Sequence, residues 1–408
     1  MRFNKVLISI MAVALILLSE KVAAENQAQP LAAHARSALD IMIEQRMKEA
    51  GIVGVGAAII VNQKVVWTKG YGFADKEHEI PFTPDTIMNI GSISKTFTGA
   101  ALMHAVQEGK LSLDEDINSY LPFKVINPFF PTEKITLRQL STHTSSITDR
   151  RWVYEGVYHY GGDSPVPLGE FLNDYFASNG RTYSIDNYLN VKPGTHREYS
   201  NIAAGLAGYI VESAVGEKLN VYTKRYIFAP LQMDNTGWFL SEIALKKHTK
   251  LYVTQGPTIP IQLWGITTYP DGGVRTSVTD LSKFFIALLN DGEFEGVRIL
   301  EKQQVAEMLR FQYTSSNKPD NVNLDGEDSV NSGIFWATKF DVSRIGHNGS
   351  DPGVMTMMLS DLAKEVGVIL FVNTSLSEQD SGYYGDIFDD LWTHAVALKD
   401  REQQATGD

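Results

Sequence analysis

The sequence predicts an α/β chain of the α+β kind: an antiparallel β-sheet flanked by helices, with a mostly helical lobe inserted between its two halves. Three observations carry this. Strand-like runs lie near both ends of the 408-residue chain, and helix-period segments fill its middle. The 43% hydrophobic and 21% charged content, without repeats or a low-complexity tract, is ordinary globular chemistry with material for a large core.

The N-terminus reads apart from the rest. Arg2 and Lys5 precede a 13-residue apolar run from Val6 to Leu18 broken only by Ser9, and Val22-Ala23-Ala24 supplies small residues after it. This is the pattern of a signal peptide over residues 1–24, too short to span a hydrocarbon core that needs about 20 residues. Residues 25–408 are then expected as one exported unit, periplasmic or secreted, without stable membrane insertion. The chain has no cysteine, which excludes disulfides and thiolate chemistry. The net charge is −12. Removing the leader takes away three basic residues and one acid, leaving −14, and an acidic surface argues against nucleic acid as a partner.

Along the chain, residues 37–51 suit an amphipathic helix and residues 54–70 a β-hairpin turning near Asn62-Gln63. The sheet lobe is expected over about 35–80 and 271–398, the helical lobe over about 81–270. Within the latter, residues 92–108 form a long apolar helix and residues 201–215 a helix of small residues that must pack closely. Trp152, Tyr154, Tyr158 and Tyr160 crowd one aromatic loop, where they either line a pocket or pack the lobe. Residues 279–291 read as a helix capped by Thr279 or Ser277, and residues 315–331 as a polar loop. Strands are expected over 333–338, 353–359 and 366–372, a closing helix over 386–398, and a frayed polar tail over 399–408.

No G-x-S-x-G and no H-E-x-x-H is present, and the nine histidines are scattered, so neither a nucleophile elbow nor a metal site is expected, and no cofactor. Ser92-Ile93-Ser94-Lys95 fits S-x-x-K. On a helix, positions i and i+3 share a face, so Lys95 can reach Ser92, and burial would lower the lysine pKa enough for it to act as a base. Gly91 lets the chain approach closely, and a helix N-terminus favours the negative charge that develops in acyl transfer. Tyr199-Ser200-Asn201 offers a tyrosine that could move a proton and an amide that could hold substrate. His347-Asn348-Gly349-Ser350 lies between strand-like runs and is expected on an edge strand facing a cleft. Each pattern has a decoy: Ser315 to Lys318, Tyr188-Leu189-Asn190 and His159-Tyr160-Gly161. Singly, each could be a capping serine, a packed tyrosine or a solvated histidine.

Order and context favour one set. With residues 70–75 (GYGFAD), 84–98 (PDTIMNIGSISKTFT), 135–145 (ITLRQLSTHTS), 193–201 (PGTHREYSN), 271–280 (DGGVRTSVTD) and 346–353 (GHNGSDPG), the chain resembles the serine β-lactamase/penicillin-binding-protein superfamily. Within it, the likeness is to class C β-lactamases, DD-carboxypeptidases and their esterase relatives, over roughly residues 39–398. The resemblance implies a β-lactamase/transpeptidase-like fold, with Ser92 as the acylated serine, Lys95 and Tyr199 as its proton-handling partners, and Asn201 in the second motif. His347 and Gly349 would be the ends of the third motif. The N–H groups of Ser92 and Ser350 would form the oxyanion hole.

Two departures stand out. The β-lactamases usually carry Lys-Thr-Gly where this chain has His347-Asn348-Gly349, although some DD-peptidases, D-aminopeptidases and esterases of the family carry histidine there, and relatives commonly have glycine where it has Ser146. A group titrating near pH 6.5 replaces a permanent cation. If protonated His347 holds a substrate carboxylate, KM for such substrates should rise between about pH 6 and 8. The expected activity is hydrolysis of D-amino-acid peptides, including peptidoglycan-derived ones, through an acyl-Ser92 intermediate. A broad esterase or β-lactamase of the same fold, and a non-catalytic scaffold, are the alternatives. The sequence leaves the oligomeric state open.

Overall fold

The computed structural model describes residues 37–254, 257–340 and 342–407. The expected leader lies outside them. By its contacts the chain separates into Met1–Met42 and Ile43–Asp408, and the sheet and the site belong to the second.

The sheet forms because residues from both ends of the sequence pair. Helix α1 (Ala38–Ala50) leads into β1 (Gly54–Val61) and β2 (Lys64–Asp75), and a two-residue β3 (Ile80–Pro81) follows. β4 (Ala337–Lys339), β5 (Arg344–Asp351), β6 (Val354–Asp361) and β7 (Val366–Val372) come from the C-terminal part. The order is β4-β5-β6-β7-β1-β2-β3, every pair antiparallel. Asn62 and Gln63 turn the first hairpin at φ 47° and 60°. That is the doubly left-handed turn whose twist matches two adjoining strands.

All eight residues of β1 are buried, as a strand covered on both faces requires. α4 (Val278–Leu289) and α5 (Ser381–Gly407) both pack against β1 and β7. Ser277 caps α4, accepting from Asp280 N at 3.1 Å. Two further helices build the site. α2 (Ser94–Gln107) follows a tight turn over Gly91–Ile93, and α3 (Asn201–Val215) packs against α2, while its Gly205 and Gly208 lie against Thr268 and Pro270. No helix among the described residues is long and apolar enough to cross a membrane.

Two expected elements differ. Residues 333–336 are not a strand. The Phe335 backbone is left-handed at φ 54°, and the N–H groups of Ile334 and Phe335 bond Met308 and Ser141 carbonyls outside the sheet. The closing helix also starts earlier, at Ser381, and continues through the polar residues expected to fray, with Lys399 paired to Glu365 at 2.7 Å and Glu402 accepting from Asn62 at 3.0 Å.

Candidate active site

Gly91 sits at φ 55°, a conformation L side chains resist, and a methyl group there would lie 2.8 Å from Asp351 Oδ2 and 3.3 Å from Ser350 N. A methyl at Gly349 would lie 2.3 Å from Ile90 O and 3.0 Å from Ser92 N. These two glycines let β5 and the turn that carries Ser92 touch, which brings the backbone N–H groups of Ser92 and Ser350 to one place. Thr356 on β6 ties the contact down by donating to Ile90 O at 2.8 Å.

Lys95 lies one helical turn from Ser92 and is fully buried. Its Nζ donates to Ser92 Oγ at 3.0 Å, Asn201 Oδ1 at 2.7 Å and the Asp271 carbonyl at 2.8 Å. These three acceptors use the three hydrogens of an ammonium. Burial pulls its pKa down, but Tyr199 and the carboxyls of Asp271 and Asp351 outweigh it, and the net shift is upward. The expectation that burial would turn Lys95 into a low-pKa base is therefore corrected: it remains a cation.

The second element is held by an anion at a helix start. Asp149 accepts from Ser200 Oγ at 2.7 Å and from the N–H groups of Asn201 and Ile202 at 2.7 and 3.0 Å. A carboxylate there satisfies orphan donors and complements the helix dipole. Ser200 Oγ also caps α3 through Ala203 N. The Tyr199 ring centre lies 5.0 Å from Lys95 Nζ. It packs at 4.3 Å against the ring of His143, a buried residue at φ 60° whose Nδ1 faces Ser200 N at 3.3 Å. Burial, Arg197 and Lys95 hold His143 well below the ordinary histidine pKa. The decoy Tyr188 is a buried aromatic, 3% exposed.

The third element lies one strand in from the sheet edge, but β4 pairs only with Arg344 to Gly346, so among the described residues β5 beyond Gly346 has no strand partner on that side. The cleft-facing edge is thus made by a short neighbour. His347 is 4% exposed and its Nδ1 bonds the Asn348 carbonyl at 2.7 Å. Burial, then the charge of Lys95, pushes its pKa down to about 3. The expectation of a histidine titrating near 6.5 is corrected, and with it the predicted rise of KM.

A cavity of about 340 Å³ joins Ser92, Tyr199, Asn201, His347, Asn348 and Ser350, within the usual size of small-ligand sites. Larger cavities of about 710 and 610 Å³ lie elsewhere and hold no serine–lysine pair. The site cavity also takes in Arg197, Lys339, Asp351, Tyr154 and Tyr158, of which only the tyrosines were singled out in the sequence. The aromatic loop is divided. Tyr154 donates to Asp271 Oδ1 at 3.1 Å and Tyr158 to Asp351 Oδ1 at 2.5 Å, whereas Trp152 and Tyr160 are 64% and 53% exposed and do not line it. His159, the decoy, faces Thr267 at 2.9 Å. Burial raises Asp271 to about 7 and Asp351 to about 6, against the pull of Lys95 on both. Ser146, where relatives commonly have glycine, is left-handed at φ 64°, with its hydroxyl accepting from Asn127 at 2.8 Å.

The arrangement can hold an attacking hydroxyl beside a fixed cation and a tyrosine, with backbone donors on the far side. Among known proteins, a family profile described as Beta-lactamase matches residues 39–386. "Protein flp" of Staphylococcus aureus (strain MRSA252) is 26% identical over 341 residues, covering 82% of this chain and 62% of its own length. The chain therefore spans under two thirds of that relative. The octameric penicillin-binding protein homologue from Pyrococcus abyssi superposes with a TM-score of 0.71 at 27% identity, over 88% of this chain and 76% of the other. The D-amino acid amidase from Ochrobactrum anthropi SV3 shares the fold with a TM-score of 0.68 at 22% identity, over 89% and 99% of the two chains.

Proposed function

The chain belongs to the beta-lactamase family, and on that premise we propose that it is an exported serine hydrolase acting on D-amino-acid-containing peptides through an acyl-Ser92 intermediate. The observation that carries the reading is the buried Lys95 ammonium on Ser92 Oγ at 3.0 Å. A scaffold has no need for a charged lysine held by three hydrogen bonds against an otherwise idle serine. The apolar run at the start of the sequence supports export.

In the proposed reaction the substrate carbonyl enters with its oxygen toward the N–H groups of Ser92 and Ser350. Ser92 Oγ attacks the carbonyl carbon and its proton passes to Tyr199, which enters the step as a phenolate beside the Lys95 cation, because Lys95 as a full ammonium can donate but not accept. Lys95 favours the negative charge on either partner. When the tetrahedral intermediate collapses, the scissile bond breaks and Tyr199 returns the proton to the leaving amine. Water then attacks the acyl-serine, giving its proton back through Tyr199 to Ser92 and releasing the acid.

The leaving group departs on the side of Tyr199, where Arg197 and Lys339 line the cavity. Neither has an acidic partner among the described residues. These cations take over the carboxylate-binding role expected of His347, and support a substrate whose leaving half ends in a carboxylate, as in a DD-carboxypeptidase-like reaction. The fold shared with a D-amino acid amidase is compatible with the same chemistry. The test is turnover of short D-alanyl peptides and of p-nitrophenyl acetate by wild type and Ser92→Ala. The proposal expects wild-type turnover and a loss of at least about 10³-fold in the variant. Equal rates in both would sink it.

A further inference from the structure

The cavity is polarised, and its anionic flank has no counterion of its own. Asp351 closes β5 immediately before a two-residue turn, Pro352-Gly353, with Gly353 at φ 76°. That turn is pinned from two sides: Trp264 Nε1 donates to Pro352 O at 3.0 Å and Gly353 N to Ser375 Oγ at 2.6 Å. Asp351 is thus placed by rigid backbone. Its Oδ1 takes the Tyr158 hydroxyl, while its Oδ2 accepts no hydrogen bond among the described residues and lies beside Gly91, next to the nucleophile. Behind it, Asp271 is 1% exposed and its Oδ2 also lacks a hydrogen-bond partner. The nearby buried cation, Lys95, already spends its three donors on Ser92, Asn201 and Asp271 O.

An uncompensated carboxylate there opposes the reaction, because the tetrahedral intermediate develops its own negative charge close by. The arrangement becomes favourable once a substrate cation neutralises it. The flank is also the right one. Tyr199, Arg197, Lys339, Asp351, Tyr154 and Tyr158 all line one cavity; with the first three assigned to the leaving half, Asp351, Tyr154 and Tyr158 are left to the acyl half. In an aminoacyl group, the amine is attached to the carbon next to the carbonyl that Ser92 attacks.

We infer that the acyl half of the substrate carries a free amine, bound as an ammonium by Asp351, so that the enzyme takes short peptides or amides with an unblocked N-terminal residue and not internal segments of longer chains. This deepens the hydrolase reading and rests on it. Blocking that amine removes the charge Asp351 binds and adds an acyl group against Tyr158.

The experiment compares D-alanine p-nitroanilide with its N-acetyl derivative, at pH 7.5, on the full chain. The inference expects kcat/KM at least about tenfold higher for the free amine, and a collapse of that ratio by at least about tenfold in Asp351→Asn, as loss of a charge-assisted hydrogen bond implies. A wild-type enzyme indifferent to acetylation, or a ratio unchanged in Asp351→Asn, overturns it. Should Asp351→Asn fail to fold, the wild-type ratio is followed from pH 5 to 7.5. Asp351 is faced by Tyr154 and Tyr158 from the aromatic segment, Lys95 from α2 and Asp271 from the segment before α4. It loses its proton near pH 6, Asp271 near 7, and both changes favour the ammonium. The ratio therefore rises with pH, and a flat profile overturns the inference. Hydrolysis of p-nitrophenyl acetate separates the two failures: an enzyme active on it without amine preference loses only this inference, whereas a folded enzyme inactive on all three compounds loses the hydrolase reading itself.

Discussion

Lys95 keeps its charge where burial alone would remove it, and His347 loses its charge for the same physical reason with a different neighbourhood. Lys95 meets acceptors and carboxyls, while His347 meets Lys95, Lys339 and Arg197. A neutral His347 cannot act as a pH-dependent carboxylate clamp, so His347→Gln should leave the pH profile of KM between 5.5 and 8 unchanged in shape. Lys339→Met should raise KM for carboxylate-bearing substrates by about tenfold or more, with little change for neutral esters. Steady-state kinetics on a matched acid and methyl ester separates these outcomes, and a KM shift confined to His347→Gln would reverse the assignment.

Asp271 gives a prediction in stability. Its pKa is raised from 3.8 to about 7 by burial, so between those values the folded state holds a proton that the unfolded state has lost, and stability falls as pH rises through that window. Asp271→Asn removes this penalty. Its Tm relative to wild type should be more favourable at pH 8 than at pH 5, and an equal difference at the two pH values would contradict the burial argument. Ser92, Lys95, Tyr199 and Asn201 were legible because short local spacings place them. Arg197, Lys339, His143 and Asp351 were not: Arg197 and Asp351 lie beside Tyr199 and Ser350 with no spacing that marks them, Lys339 reaches the cavity from a separate strand, and His143 acts behind it, against the Tyr199 ring. His143 left one signal, its place inside residues 135–145, but no local pattern marks a histidine that packs on a tyrosine 56 positions later.

At the scale of elements, α2 and α3 were readable because their signals are local: apolar content in one, small residues in the other. The small residues have a measurable purpose. A methyl at Gly208 would lie 2.3 Å from the Pro270 Cβ, so Gly208→Ala pushes α3 away from the segment whose Asp271 carbonyl holds Lys95. It should cost about 1–3 kcal/mol of stability and lower kcat as well. Gly216, which ends α3 at φ 76° with open space around it, should cost only about 1 kcal/mol as alanine and spare activity. Denaturant melts and kinetics on both variants check the contrast, and equal losses of activity would remove the packing argument. The run Gly333-Ile334-Phe335-Trp336 was misread as a strand because buried turns and buried strands are equally apolar. Only its long-range hydrogen bonds distinguish the two.

Across the whole molecule, the sheet joins residues more than 300 positions apart, as in the Val55–Val372 pairing, and the site forms where its C-terminal strands meet the helical segments. Strands at both ends with helices between were enough to predict that topology, since antiparallel ends can share a sheet only if the middle is set aside as its own layer. The strand order was not legible, because alternation fixes which face is buried and says nothing of which neighbour is chosen. The central claim is that this assembly exists to acylate Ser92. Intact-protein mass spectrometry after exposure to a fluorophosphonate probe tests it most directly. One stoichiometric adduct, mapped by digestion to the peptide holding Ser92 and absent from Ser92→Ala, is the expected result. A folded wild-type protein that stays unlabelled, or an adduct that persists in Ser92→Ala, would contradict the account.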